Sequence, residues 1–278
     1  MNVRETPLSG DMKLDGIRGF VFDVDGSLVH RDADFRPRPL PGAPEVLEKI
    51  RASGRPLVLF TNGTHLRPEE FARGLREGGL PVRDDEVLTP VCSALGYLKR
   101  RHDGRRAMVF GSETARRRMA EAGVQLTDGE DAEVVFVTHV NEVDFESLER
   151  AARAITRGAR LLTASYGPGY WGADGMIFSR GAMVTAALAK ATGARPVIVG
   201  KPSRAAVRAA CERLGVRSQE MAVIGDDLDM DIGLGRLGGS RTILVRSGTS
   251  GSVDLARVPE RRRPDAVVEG VGEILQWL

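Results

Sequence analysis

The sequence predicts an α/β protein with a Rossmann-like parallel sheet covered by helices. Two observations carry this. Short β-branched apolar runs alternate along the chain with amphipathic helical patterns, as in strand–helix units that build parallel sheets. Hydrophobic residues make up 42% and charged residues 28% of the chain, the balance of an ordinary globular protein. At roughly 100–200 residues per domain, 278 residues make one large or two modest domains.

In order, Gly19 to Val24 (GFVFDV) reads as a buried strand, and Ala43 to Ala52 as a helix that Gly54 closes. Pro56 to Phe60 is a second strand and Pro68 to Glu77 a second helix. Between Leu88 and Phe178 the alternation changes character. Helices are expected near 94–101, 114–122 and 145–156, strands at 107–110, 134–137 and 160–163, and then a loop, SYGPGYWGADG. From Gly181 the regular pattern returns. Helices at 182–191 and 204–214 alternate with strands at 197–199, 221–224, 242–245 and 266–268, and a short helix leads to Leu278.

Bulk properties exclude several classes. A formal net charge of +2 gives no strong field for nucleic acid, and Arg261-Arg262-Arg263 before Pro264 reads as a solvated loop. Cys92 and Cys211 lie in apolar helical patterns and read as buried free thiols, which fits a reducing compartment. The N-terminal stretch lacks the apolar segment of a secretory signal. No apolar run approaches the ~20 residues needed to cross a bilayer. The expected location is cytoplasmic, without membrane or nucleic-acid partners.

Four polar segments each follow an apolar strand, where parallel sheets build active sites at their carboxyl edge. The first is Asp23-Val24-Asp25-Gly26-Ser27. Two carboxylates two residues apart nominally face opposite sides of a strand, but Gly26 permits a sharp turn that sends both to one cleft. One carboxylate can attack while the other handles a proton. A solvated strand-end turn uses the same residue types. The second is Thr61-Asn62-Gly63-Thr64, whose hydroxyl and backbone N–H groups suit a phosphate oxygen, although a plain turn also explains Asn-Gly.

The third is Gly200-Lys201-Pro202-Ser203, where Lys201 offers a point charge. It is not a P-loop, because Arg195 stands where that motif needs glycine and Pro202 where it needs Ser or Thr. The fourth is Gly225-Asp226-Asp227-Leu228-Asp229-Met230-Asp231. Four aspartates in six positions repel unless paired, and Mg²⁺ is a natural partner for their oxygens. A polar helix start explains one or two of them. An EF-hand is out of register, with Ile232 at its sixth position and Gly238 at its twelfth. The string Gly233-Leu234-Gly235-Arg236-Leu237-Gly238 matches a dinucleotide pattern but lies too far beyond its strand. The four histidines show no metal-ligand spacing, though His30 and His65 closely follow the first two segments.

In this order, DVDGS, TNGT, GKPS and GDDLDMD resemble the four motifs of the haloacid dehalogenase (HAD) superfamily. The stretch PLPGAPEVLEKIRASGRPLVLFTNGT is similar to the p-nitrophenylphosphatase-like, or NagD-like, class. The resemblance implies a HAD core domain at 1–87 and 179–278 with an inserted α/β cap domain at 88–178. It implies a Mg²⁺-dependent phosphatase for a small phosphorylated metabolite. Asp23 would be the nucleophile and a metal ligand. Asp25 would be the general acid and base, with its carbonyl on the metal. Thr61, Asn62 and Lys201 would hold phosphate and Asp226 the metal. Asp231 would support the metal's waters, with Asp227 competing for that role.

The resemblance also implies a homodimer through the cap. A phosphotransferase or mutase would use the same aspartyl-phosphate site. A non-catalytic binding protein on the same fold is a further reading, against which the intact Asp23, Asp25, Lys201 and Asp226 stand. One departure concerns specificity. The class usually carries an Asn-Pro-Asp-like segment in the cap, where this chain has Leu162-Thr163-Ala164-Ser165-Tyr166-Gly167. Tyr166, Tyr170 and Trp171 could stack on the leaving group, or pack within the cap or at a dimer interface.

Overall fold

The computed structural model describes residues 14–172 and 175–278. Its strands are β1 (Gly19–Phe22), β2 (Val29–Arg31), β3 (Pro37–Pro39), β4 (Leu57–Phe60), β5 (Val87–Leu88), β6 (Arg106–Phe110), β7 (Gln125–Leu126), β8 (Val134–Val137), β9 (Arg160–Thr163), β10 (Gly169–Gly172), β11 (Gly175–Phe178), β12 (Val197–Ile198), β13 (Met221–Gly225), β14 (Arg241–Val245) and β15 (Ala266–Val268). The α-helices are α1 (Ala43–Ala52), α2 (Pro68–Glu77), α3 (Pro90–Arg101), α4 (Glu113–Glu121), α5 (Phe145–Thr156), α6 (Arg180–Thr192), α7 (Arg204–Leu214) and α8 (Gly233–Gly238). Among the described residues no helix is long and apolar enough to cross a membrane.

The chain divides into two compact units. The first comprises residues 1–60, 72–87 and 210–278, and the second 61–71 and 88–209. The first is built on a six-stranded sheet ordered β15-β14-β13-β1-β4-β5, in which β15, β14, β13, β1 and β4 run parallel. The central strand GFVF is buried along its whole length, as expected for a strand covered on both faces. Helix α1 buries Ala43, Val46, Leu47 and Ile50, the stripe that its 3.6-residue period places on one face. Gly42 precedes it with φ 81°, and a Cβ there would collide with the Gly272 backbone. The expected C-terminal helix is a 3₁₀ segment, Val271–Trp277.

The second unit has a five-stranded sheet ordered β12-β9-β8-β6-β7, parallel throughout. One apolar layer gathers Phe136, Leu162, Met119 and Val199. The other gathers Val135, Leu161, Ala154 and Leu188. This unit takes in 61–71 and 88–209, more than the 88–178 insertion that the sequence leads one to expect. The reason is pairing: β12 adds in register to β9 through Val197↔Leu162 and Ile198↔Thr163. Val184 and Leu188 of α6 also enter the second unit's core. Residues 61–71 join the same unit because the Thr64 Oγ1 accepts from the His139 N–H at 3.0 Å and its carbonyl from Ser112 Oγ.

Part of the expected loop after β9 is a hairpin of β10 and β11. Glycine allows it: a Cβ on Gly169 would run into the Ile177 carbonyl.

Candidate active site

In the first unit, Asp23 follows β1 directly, and its N–H donates to the Ile224 carbonyl of β13 at 2.8 Å. The adjacent strand β13 ends in Gly225, so Asp226 emerges beside Asp23. The chain then winds through a single wide turn, Leu228–Ile232. This folds Asp231 back over Gly225, where any Cβ would overlap the Asp231 carboxylate. Oxygens of Asp23, Asp226 and Asp231 consequently lie within 4.8 Å of one another. Asp226 and Asp231 are 3% and 2% exposed, so water screens them poorly. At an effective dielectric near 20, each ionised pair at that separation repels by about 3 kcal/mol. Three hard oxygen donors with little screening suit Mg²⁺, which keeps several waters while taking a few carboxylates.

The surroundings hold these carboxylates from several sides. The Ser27 hydroxyl lies 3.3 Å from both Asp23 Oδ2 and Asp226 Oδ1. The Thr249 N–H donates to Asp226 Oδ2 at 2.6 Å. Gly26 (φ 87°) leaves room for Asp226, since a Cβ there would stand 2.6 Å from its Oδ2. Gly248 does the same from the loop after β14, where a Cβ would overlap that oxygen. That loop, Ser247 to Gly251, is the part that sequence reasoning missed. The available signal was its position: Ser, Gly and Thr directly after an apolar strand, as in the second segment.

Asp25 does not join the carboxylate cluster. Its side chain accepts from Arg31 Nε at 2.7 Å and is about half exposed. Asp227 is occupied in a different way, for its Oδ1 accepts from the N–H groups of Asp229 and Met230 at 2.7 and 3.0 Å. It caps the turn that delivers Asp231. The 233–238 glycines form α8, and a Cβ on Gly235 would overlap Thr242 of β14. Close helix–sheet packing therefore explains that glycine.

In the second unit, the Thr61 Oγ1 accepts from the Gly63 N–H at 3.0 Å. The Asn62 Oδ1 accepts from the Lys201 N–H at 3.1 Å. A Cβ on Gly200 would overlap the Ala164 carbonyl and lie 3.1 Å from that same Oδ1. The second and third segments thus meet at the carboxyl edge of the five-stranded sheet. Lys201 is 2% exposed, and Ser203 caps α7 by accepting from the Ala206 N–H at 3.0 Å. His65 and His139 face each other edge-on at 6.2 Å. Tyr166 is 40% exposed after β9. Tyr170 and Trp171 lie on β10, paired with Ile177 and Met176. Cys92 and Cys211 form no disulfide and are half-buried rather than fully buried.

A family model described as haloacid dehalogenase-like hydrolase matches residues 20–125, and a HAD-hydrolase-like model matches 198–274. The ribonucleotide monophosphatase NagD of Escherichia coli K12 is 31% identical over 261 residues, covering 93% of this chain and 98% of that protein. The dihydroxyacetone phosphatase of Corynebacterium glutamicum is 27% identical, covering 92% and 90%. Among solved structures, the p-nitrophenyl phosphatase from Archaeoglobus fulgidus superposes with a TM-score of 0.83 at 28% identity, covering 94% and 99%.

Proposed function

The chain belongs to the haloacid dehalogenase-like hydrolases, in their NagD-like class, and is a phosphoric monoester hydrolase. From that premise we propose that it hydrolyses a small phosphate monoester with Mg²⁺ through an aspartyl-phosphate on Asp23. The observation that carries this reading is the convergence of Asp23, Asp226 and Asp231 within 4.8 Å. Asp23 and Asp226, with the Asp25 backbone carbonyl, would hold the ion, and Asp231 would support its waters. A bound Mg²⁺ would supply the positive charge that lets a carboxylate approach an anionic phosphate.

The chain's own groups do the rest. An Asp23 oxygen attacks phosphorus, and the bond to the leaving oxygen breaks. Asp25 gives its proton to the departing alkoxide. It then takes a proton from the water that splits the aspartyl-phosphate, releasing inorganic phosphate and restoring Asp23. Asp25 must let go of Arg31 to do so. An exposed pair of this kind is worth about 0–1 kcal/mol, a small barrier to that movement. Thr61 and Asn62 take phosphoryl oxygens. With its carbonyl end engaged by Lys201 N–H, Asn62 has its amide donors left for that purpose. Lys201 offers the compensating ammonium charge.

The relatives' names, a ribonucleotide monophosphatase and a dihydroxyacetone phosphatase, point to small phosphorylated metabolites, and this chain's substrate falls in the same class. The insertion that selects the leaving group is the second unit, through residues such as Tyr166. The test is p-nitrophenyl phosphate turnover. Phosphate release should require Mg²⁺, stop with chelator, and fall by roughly a thousandfold or more in Asp23→Asn. Turnover that persists in that variant or in chelator would overturn the mechanism.

A further inference from the structure

The second unit carries a cationic cavity at the opposite edge of its sheet from Asn62 and Lys201. Helix α3 ends at Arg101, and His102 follows as its C-cap. Arg160 opens β9, so its side chain also belongs to the amino edge. A cavity of about 380 Å³ is lined by Tyr97, Arg101, His102 and Arg160. A neighbouring one of about 320 Å³ shares His102 and adds Lys99, Asp103 and Arg105.

Three features of this corner bear on what it could hold. Several arginines elsewhere on the molecule are committed to carboxylates, as in Arg116–Asp128 and Arg153–Glu130. Among the described residues, neither Arg101 nor Arg160 has a carboxylate within ion-pair distance. The His102 Nδ1 is sealed from solvent and has no hydrogen-bond partner, a condition that buried polar atoms rarely tolerate. The Tyr97 ring lies against the imidazole at 5.6 Å, which fixes that ring between apolar and cationic neighbours. The end of α3 carries a partial negative charge, but Lys99, Arg100 and Arg101 in its last turn outweigh it.

We propose that this recess binds a small, multiply charged phosphate-type anion, held by the guanidiniums of Arg101 and Arg160 and by the His102 imidazole. Arginine's planar fork suits such oxygens. The surroundings give a readout. Burial first, then the charges of Arg105, Arg160 and Arg101, hold the imidazole below its ordinary value, while Glu133 acts in the opposite sense. An anion seated among these cations reverses that balance and raises it.

Inorganic pyrophosphate is the probe, titrated into the intact protein without Mg²⁺ at constant ionic strength. The histidine side chains, four in all, are followed by NMR, and His102→Gln identifies the relevant signals. Pyrophosphate should shift the His102 resonances saturably and raise the imidazole's pKa. The Arg101→Ala/Arg160→Ala double variant should bind roughly tenfold or more weakly. Its p-nitrophenyl phosphate turnover and circular dichroism should stay unchanged. The proposal fails if millimolar pyrophosphate leaves His102 unmoved, if the double variant keeps the response, or if chloride at matched ionic strength reproduces it. No turnover enters the binding measurement, so its outcome stands apart from that of the phosphatase reading.

Discussion

At the scale of single residues, the carboxylate cluster depends on side chains that are missing. Gly248 and Gly26 leave the volume that the Asp226 carboxylate occupies. Gly248→Ala should raise the Mg²⁺ concentration for half-maximal phosphatase activity by roughly tenfold or more, with little change in melting temperature. Unaltered Mg²⁺ dependence in that variant would show that the loop after β14 has no part in the site. Residue chemistry also explains what the sequence disclosed. Asp23, Lys201 and Asp226 stand out because a charged residue ending an apolar strand needs a reason. Gly248 and Thr249 do not, because glycine and threonine are ordinary loop residues. Their role exists only through a backbone N–H and an absent Cβ, neither of which has a sequence signature.

At the scale of elements, the turn Leu228–Ile232 separates two aspartates that the sequence left in competition. Asp227 caps its start, whereas Asp231 reaches the cluster. Asp227→Ala should lower stability by about 1 kcal/mol, measured by denaturant unfolding, and leave Mg²⁺ dependence nearly intact. Asp231→Asn should do the reverse, weakening Mg²⁺ use with little loss of stability. The 3₁₀ turn Ser218–Glu220 before β13 makes a second case. Glu220 accepts from the Arg217 side chain and its N–H, and Arg18 lies 3.5 Å away. The Arg217 side-chain bond, then its N–H, hold the Glu220 carboxyl down at about 2, against an ordinary 4.5. A carboxylate depressed on folding stabilises the native state above its unfolded value and loses that contribution as pH falls. The loss should therefore run from about 4.5 down to about 2. In Glu220→Gln, the acid limb of stability against pH should flatten over that window. An unchanged limb would assign acid sensitivity to other carboxylates.

At the scale of the whole molecule, an ion bound by the carboxylate cluster would couple folding to its own binding. Oxygens of Asp23, Asp226 and Asp231 come within 4.8 Å of one another in the folded chain, so a cation held there would favour the native state. Mg²⁺ at a hundred times its dissociation constant should stabilise the chain by about 2.7 kcal/mol, seen as a rise in melting temperature. Asp226→Asn should remove that rise and, by relieving repulsion, melt no lower than the wild type without metal. Strand–helix alternation made the sheets legible, because buried parallel strands read as apolar runs. β1, β8 and β13 were legible in that way. The limits of the two units were not, since β12 is two residues long and its allegiance is set by pairing with β9 rather than by its own composition.

That pairing bears on how the second unit could be moved as a piece. Residues 88–178 lifted out alone would strip β9 of its β12 neighbour and leave it as an edge strand paired only with β8, an invitation to aggregation. A recombination that respects the hydrogen bonds must instead move 61–71 and 88–209 together. Lys201 and Asn62, joined by the bond from the Lys201 N–H to Asn62 Oδ1, then travel together with that unit.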